Sequence, residues 1–394
     1  MPRGTRSSAS GPRVGPIVPV VVALVVSGAL FAFVAGSGGS GEADETSSTT
    51  STSATTPETT STTSPPPDPV PVDAIAVEPF PEEAPGSYRI VYEVVENGLA
   101  RTETLTVRRP FESLVVSTRE GEEILSGTAT SRQQLWTYLS DREGWLAIQP
   151  QLHRAAYDQR PLAAMASLPA PGLAEEEGTG SYLDRSCRNF RTGGPLTDPG
   201  ATAPSASEST EVCIDGNGLL LHERWEIGGQ VVSERTATEV ELDPEVPADQ
   251  FDPIPVIEDA EEFEAILTSI AVPADEETLA QLETDIVPPE GFVLEGAVLR
   301  AGSVESGGSG ATEIVRFYTD GRDLIELAEV TALAGADLDG GGAVPVEIDG
   351  PETWFFADFR ASAIRTRLSD TTFVELRGTN PAQLVGLLDT LTRR

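Results

Sequence analysis

The sequence predicts an α+β protein made mainly of antiparallel strands, carried on an N-terminal transmembrane helix and a disordered stalk. Three observations predict it. An uncharged apolar run extends from Ile17 to Val34, strand-like alternation around tight-turn signals recurs from Ser87 onward, and a capped amphipathic helix closes the chain from Asn380.

Arg3, Arg6 and Arg13 precede the apolar run, which has the roughly eighteen residues needed to cross a bilayer core. Arginines before it and carboxylates after it place residues 1–16 in the cytoplasm as a short tip, with 17–36 as a signal-anchor and the body outside. The localisation expected is therefore a single-pass protein of the cell membrane with an extracytoplasmic body. Val34-Ala35-Gly36 has the small residues a signal peptidase accepts, so a cleaved signal is the competing reading, and it exports the body equally. No cysteine precedes Cys187, which removes a lipid anchor. Residues 37–71 form the stalk. From Ser47 to Ser64 almost every residue is Ser or Thr, and such a segment buries too little apolar surface to offset its ordering entropy. As a coil, about 36 residues reach roughly 30 to 35 Å.

The first folded region is assigned to 72–252. Ser87 to Val95 alternates polar with apolar or aromatic residues, Asn97-Gly98 supplies a turn, and Arg101 to Val107 resumes as a strand. Glu112 to Ser117, Gln134 to Leu139 and Gly144 to Gln149 continue the rhythm. Pro161 to Leu168 suits a short helix, and Thr192 to Glu211 reads as a surface loop. Strands then flank Gly228-Gly229, from Leu219 to Trp225 and from Val231 to Glu241.

Residues 253–288 read as an acidic connector, helix-prone from Glu258 to Leu282. A smaller antiparallel α+β domain follows over 289–394. Its strands are Gly291 to Arg300, Glu313 to Tyr318, Leu324 to Ala332, Thr353 to Arg367 in one or two pieces, and Thr371 to Arg377. In the closing helix Asn380 is the N-cap, Pro381 the first position, and Leu384, Leu387, Leu388 and Leu391 share a face, with Arg393-Arg394 at the negative end of the dipole.

Composition restricts the function classes. A net charge of −37, from 63 Asp and Glu against 26 basic residues, repels nucleic acid and anionic lipid. Cys187 and Cys213, the only cysteines, are expected to form one disulfide in an oxidising compartment; metal binding is the rival, but no ligand spacing accompanies the pair. A nucleophile needs a base, and the two histidines, His153 and His222, lie in no such arrangement; His222 reads as solvent-facing on a strand. Gly307-Gly308-Ser309-Gly310 and Gly340-Gly341-Gly342 run towards strands and lack a lysine, so they read as hairpin loops and not phosphate cradles. Asp215-Gly216-Asn217-Gly218 and Asp337-Leu338-Asp339-Gly340 begin like calcium loops but do not continue as one. No catalytic residue, metal or cofactor is therefore expected.

Arg132 to Leu139 and Gly144 to Ile148 put large apolar groups on both faces of neighbouring strands. One face suits a core and the other the wall of an apolar cavity, or both suit a sheet covered on either side. Tyr88-Arg-Ile-Val-Tyr92, Thr104 to Val107 with Arg109-Pro110, and Leu135-Trp136-Thr137-Tyr138 resemble the opening strands of the lipoprotein-carrier superfamily, which includes LolA-like carriers and RseB-like envelope sensors. Ala237 to Val240 and Val246 to Phe251 are similar to its closing phrase. Pro289 to Phe292, Val315 to Gly321 and the C-terminal helix resemble the smaller domain of the RseB-like branch. The resemblance implies an open half-barrel that binds lipid or another apolar effector, and a small domain that helps engage a transmembrane anti-sigma partner. The candidate cavity residues are Tyr88, Tyr92, Trp136, Tyr138, Trp145 and Ile148.

The expected function is a membrane-anchored extracytoplasmic binding protein in envelope sensing or sigma-factor regulation. Its expected partners are an apolar ligand, the membrane, and a transmembrane anti-sigma or other envelope protein. A cytoplasmic tip of about sixteen residues cannot bury a core, so signalling would pass through the membrane partner. The alternative is a stalk-displayed structural or protein-interaction module without a ligand.

Overall fold

The computed structural model describes residues 69–75, 84–119, 123–131, 135–140, 143–148, 174–193, 207–251, 271–301, 312–331, 344–348, 350–357 and 362–393. The expected membrane span, residues 37–68 of the stalk, the helix at Pro161 to Leu168, His153, Asp337 to Gly340 and both glycine-rich loops lie outside these residues, whereas the end of the expected stalk, Val70–Pro71, is not disordered but a strand paired with Val346 and Glu347. Among the described residues no helix is long and apolar enough to cross a membrane.

The described chain begins with β1 (Val70–Pro71) and the single-turn helix α1 (Val72–Ile75), then builds β2 (Ser87–Glu96), β3 (Leu99–Arg108), β4 (Glu112–Arg119), β5 (Glu123–Thr130), β6 (Leu135–Leu139) and β7 (Gly144–Ile148). After these come β8 (Ala174–Tyr182), β9 (Arg185–Thr192), β10 (Glu208–Asp215), β11 (Leu220–Ile227) and β12 (Gln230–Leu242), and a 3-10 turn at Ala248–Phe251. Strands β2 to β12 form one antiparallel sheet in the order β7-β6-β5-β4-β3-β2-β12-β11-β10-β9-β8. It is two meanders joined where β2 pairs with β12. Its ends, β7 and β8, are not neighbours, so the sheet is open.

Local chemistry explains the pairing. Asn97 and Gly98 take φ of 50° and 78°, the left-handed geometry of a two-residue turn whose twist matches the flanking strands. The β2 positions Tyr88, Ile90, Tyr92 and Val94 are all buried on one face. The strands at the acidic edge are held differently. In β8 only Ala174 is buried, and its carboxylates pair with arginines on β9: Arg188 with Glu176 at 2.6 Å and Arg191 with Glu177 at 3.5 Å. A charged edge also resists pairing with another chain.

The Thr192 to Glu211 segment, read as loop, is strand at both ends: β9 runs to Thr192 and β10 starts at Glu208. Between those strands Cys187 and Cys213 form the disulfide, with Cα atoms 5.4 Å apart and both side chains buried. Gly180 makes room for it, since a Cβ there would stand 3.0 Å from the Cys213 sulfur. The bond closes a 26-residue separation, which the chain-entropy model values at about 3 to 4 kcal/mol.

The second sheet gathers β13 (Ala271–Pro273), β15 (Val293–Ala301), β16 (Thr312–Thr319), β17 (Leu324–Thr331), β18 (Val344–Glu347), β19 (Thr353–Ala357), β20 (Ser362–Arg367) and β21 (Thr372–Gly378), in the order β1-β18-β19-β20-β21-β17-β16-β15-β13. Helix α3 (Pro381–Leu388) packs Leu384 and Leu387 among Ile325, Leu327, Phe355, Ile364 and Leu376. Its cap is as read from sequence, with the Asn380 side chain accepting from the backbone N–H of Ala382 and Gln383.

Four local expectations are corrected. Among its described residues the connector is helical for one turn, α2 (Glu276–Leu279), capped by Asp275, and Ala271–Pro273 is strand. Acidic composition favoured helix there, but pairing with β15 decides the outcome. Arg393 does not cap α3; it lies in β22 (Thr392–Arg393), paired with β14 (Thr284–Asp285). The buried Glu329 carboxylate fixes β14, accepting from the backbone N–H of Glu283 and Thr284 and from the Thr284 hydroxyl at 2.7 Å. His222 is not solvent-facing. Its side chain is 12% exposed, its ring stacks on Tyr182 at 4.8 Å, and its Nε2 lies 3.1 Å from Glu234. Finally, β1 pairs in parallel with β18 and α1 packs on α3, so the chain joins the second sheet before it builds the first.

The two sheets share their cores. Phe111, in the turn between β3 and β4, belongs to the cluster of Val298, Val315, Phe317, Ala328 and Phe373. Phe190, Val212 and Ile214 belong to the cluster that α3 covers.

Candidate apolar site on the open sheet

Paired residues in antiparallel strands point to the same side, so register assigns each candidate to a face. The row Tyr88–Val107–Ser113–Thr130–Leu135–Ile148 runs from β2 to β7 through successive pairings. Tyr92 is on the same face as Tyr88. Leu114 pairs with Ala129, Ala129 with Trp136, and Tyr138 with Trp145, and these rows belong to the opposite face. The six candidates are thus divided: Tyr88 and Tyr92 on one side, Trp136, Tyr138 and Trp145 on the other, with the Ile148 backbone registered against Leu135.

The Tyr88 face is a packed core. Tyr92 is fully buried and its hydroxyl donates to the Leu220 carbonyl at 2.9 Å. The Arg235 guanidinium lies 3.9 Å from the Tyr92 ring centroid and pairs with the buried Glu103 carboxylate, which also accepts from Ser117 at 3.3 Å. Arg109 sits 6.0 Å from the Tyr88 ring. Cys187, Cys213, Leu219 and Leu221 complete the same cluster. Enclosed rings with a buried ion pair between them are the chemistry of a structural interior.

The opposite face is built of aromatics on small residues. Trp145 meets Tyr138 edge-on with centroids 5.5 Å apart, and its indole reaches across β6 to β5, where a Cβ on Gly127 would stand 2.5 Å from its ring. Gly127 and the fully buried Ala129 make the floor, and Leu114 and Val116 on β4 extend it, both half-buried. Trp145 is 5% exposed, whereas Trp136 and Tyr138 are half-buried. The Trp136 Nε1 is buried without a hydrogen-bond partner among the described residues. An indole N–H is a donor only, and a buried donor left unmatched costs about 1 to 3 kcal/mol. The face therefore offers apolar ring surface with one unmatched donor, which suits an amphiphile with an acceptor in its polar part.

Sequence reasoning missed the floor. β5 was not anticipated, because Glu-Ile-Leu-Ser-Gly-Thr-Ala-Thr carries little apolar alternation. The usable signal was the Gly127-x-Ala129 spacing, two small residues on one face beside strands rich in large rings.

Among the described residues no group of three metal-ligating side chains occurs. Asp215 caps its own turn, accepting from the N–H of Asn217 and Leu219, and its other oxygen is 2.6 Å from Arg185. That carboxylate serves the turn between β10 and β11.

No family model matches the chain, and no curated protein matches it. Among solved structures it is similar to the Pseudomonas aeruginosa MucA/MucB complex, at 15% identity over 82% of this chain and 97% of that one, with a TM-score of 0.30. It is also similar to the Mycobacterium tuberculosis lipoprotein LppX, at 16% identity over 42% of this chain and 90% of that one, TM-score 0.25. A third is a putative outer membrane lipoprotein-sorting protein domain from Vibrio parahaemolyticus, at 8% identity over 46% and 94%, TM-score 0.24. At TM-scores this low the likeness decides nothing about any residue.

Proposed function

We propose that this chain is a membrane-anchored extracytoplasmic binding protein, not an enzyme, that holds a lipid or another apolar ligand against the aromatic face of β5 to β7. The carrying observation is the arrangement of Trp136, Tyr138 and Trp145 over Gly127 and Ala129, with the unmatched Trp136 donor, on the side of the sheet away from the filled Tyr92 core. The anchor in this reading is Ile17 to Val34 and the spacer is the Ser/Thr/Pro tract. The second sheet, whose core is shared with the first through Phe111, is in this reading the part that meets a transmembrane anti-sigma or other envelope partner. Envelope sensing or sigma-factor regulation through that partner is the role that fits.

Fluorescence quenching by a brominated fatty acid tests the ligand. Saturable quenching that Trp136→Phe and Trp145→Phe reduce is the expected result. Quenching that is absent, or unaffected by both substitutions, favours the stalk-displayed interaction module.

A further inference from the structure

The aromatic face continues past its apolar floor onto strands of a different character. One row of paired residues crosses the sheet as Glu241–Arg89–Thr106–Leu114–Ala129–Trp136, and the next as Glu239–Val91–Thr104–Val116–Gly127. Side-chain contacts agree with that register. Arg89 lies 3.5 Å from Glu239 and 3.9 Å from Glu241 at one end, and the Trp145 ring closes on Gly127 at the other. From β4 to β7 the face is aliphatic and aromatic. On β12, β2 and β3 it is polar.

The polar half carries a strip of hydroxyls. Thr102, Thr104 and Thr106 take alternate positions of β3, each roughly 7 Å from the next, with Thr102 exposed, Thr104 half-buried and Thr106 buried. Among the described residues none of these three hydroxyls has a hydrogen-bond partner. Each can donate one bond and accept others. Arg89 adds a donor, since its Nε is buried without a partner. Arg89 and Trp136, both with an unmatched N–H, thus stand in one row with Leu114 and Ala129 between them. Four strand spacings separate them, roughly 19 Å at about 4.8 Å each.

Charge selects the head group that fits. Arg89 faces Glu239 and Glu241, Arg108 pairs with Glu112, and Glu93 stands beside Thr102 in register, so carboxylates outnumber arginines along this half of the face. Such a strip repels a phosphate or sulfate and suits an uncharged group that both donates and accepts. We propose that the ligand is an amphiphile with an uncharged polyhydroxyl head, a sugar or another polyol, whose chain lies over β4 to β7 and whose head rests on Arg89, Thr102 and Thr104. This rests on the apolar-ligand reading above and adds to it the class of head group.

The test is competition on the full chain held in amphipol. Brominated fatty acid quenches the tryptophans, and displacement is read as recovered emission. Dodecyl maltoside, dodecyl phosphate and dodecylphosphocholine, each below its micelle concentration, share one chain and differ in head. The maltoside is expected to displace the quencher at several-fold lower concentration than the other two. Combined Thr102→Val and Thr104→Val keep the shape and strand preference of each side chain. They should weaken the maltoside about tenfold, as the loss of two hydrogen bonds would, and the fatty acid less. Equal or tighter binding of either phosphate-bearing competitor, or a valine variant that shifts the maltoside no more than the fatty acid, overturns the head assignment and leaves the apolar face standing. Free maltose that displaces the quencher as well as dodecyl maltoside does assigns the strip to a glycan without a chain and also overturns it. A wild-type chain that the brominated fatty acid does not quench overturns the apolar-ligand reading and this inference with it.

Discussion

Gly127 shows how one residue decides whether the aromatic face exists. A side chain there would meet the Trp145 ring at 2.5 Å, so the ring would have to shift. Gly127→Val is expected to displace Trp145, to cost about 1 to 3 kcal/mol of stability as an overpacked site, and to alter near-ultraviolet circular dichroism more than the far-ultraviolet signal. An unchanged aromatic spectrum would contradict the packing described. The same residue marks what sequence could reveal. Large rings on alternate positions of Leu135 to Leu139 announced a sheet with two apolar faces, but a glycine reads as a break until its partner across two strands is known. His222 misled for a related reason: its neighbours alternate, yet the stacking Tyr182 arrives from a strand forty residues earlier, and no local pattern reports that contact.

At the scale of elements, the strands with strong alternation and clear turns, β2, β3, β4, β11 and β12, were legible, as was α3 with its Asn380 cap. The strands held by cross-strand partners, β8, β9 and β18, were not, because their sequences are acidic, arginine-rich or too short to show a period. Charge also organises the second sheet. Glu375 pairs with Arg365 at 2.6 Å and with Arg377, which reaches Glu313 at 3.1 Å. Burial pushes the Glu375 carboxyl up, but the Arg377 and Arg365 guanidiniums outweigh it and hold the carboxyl below its ordinary value of 4.5. A depressed folded value contributes stability that is present above the unfolded value and is lost as pH falls through the folded one. Acid unfolding is therefore expected to steepen below about pH 4.5. Glu375→Gln should remove that part of the acid limb and, by leaving two arginines short of a partner, cost roughly 3 to 5 kcal/mol at neutral pH. Denaturant titrations of both forms across that range read the difference, and parallel curves would refute the network's role.

For the whole molecule, the order of elements hides the architecture. β1 lies beside β18, some 270 residues later, and Phe111 crosses from the first sheet's turn into the second sheet's core, so neither contact follows from local pattern. The strand rhythm indicated two antiparallel regions with a helix at the end, and the residues that join them emerged only in three dimensions. The division of the aromatic candidates was equally hidden, because face depends on register across five strands. That division produces the central claim, in which one side of the open sheet is a filled interior and the other receives an apolar ligand. Mass spectrometry of lipid extracted from the purified protein over residues 69–394 tests it most directly. The account predicts a co-purifying amphiphile in the wild-type protein, depleted when Trp136→Ala and Tyr138→Ala are combined and retained in Tyr92→Phe. A wild-type protein that carries no lipid and takes up none on incubation would contradict it.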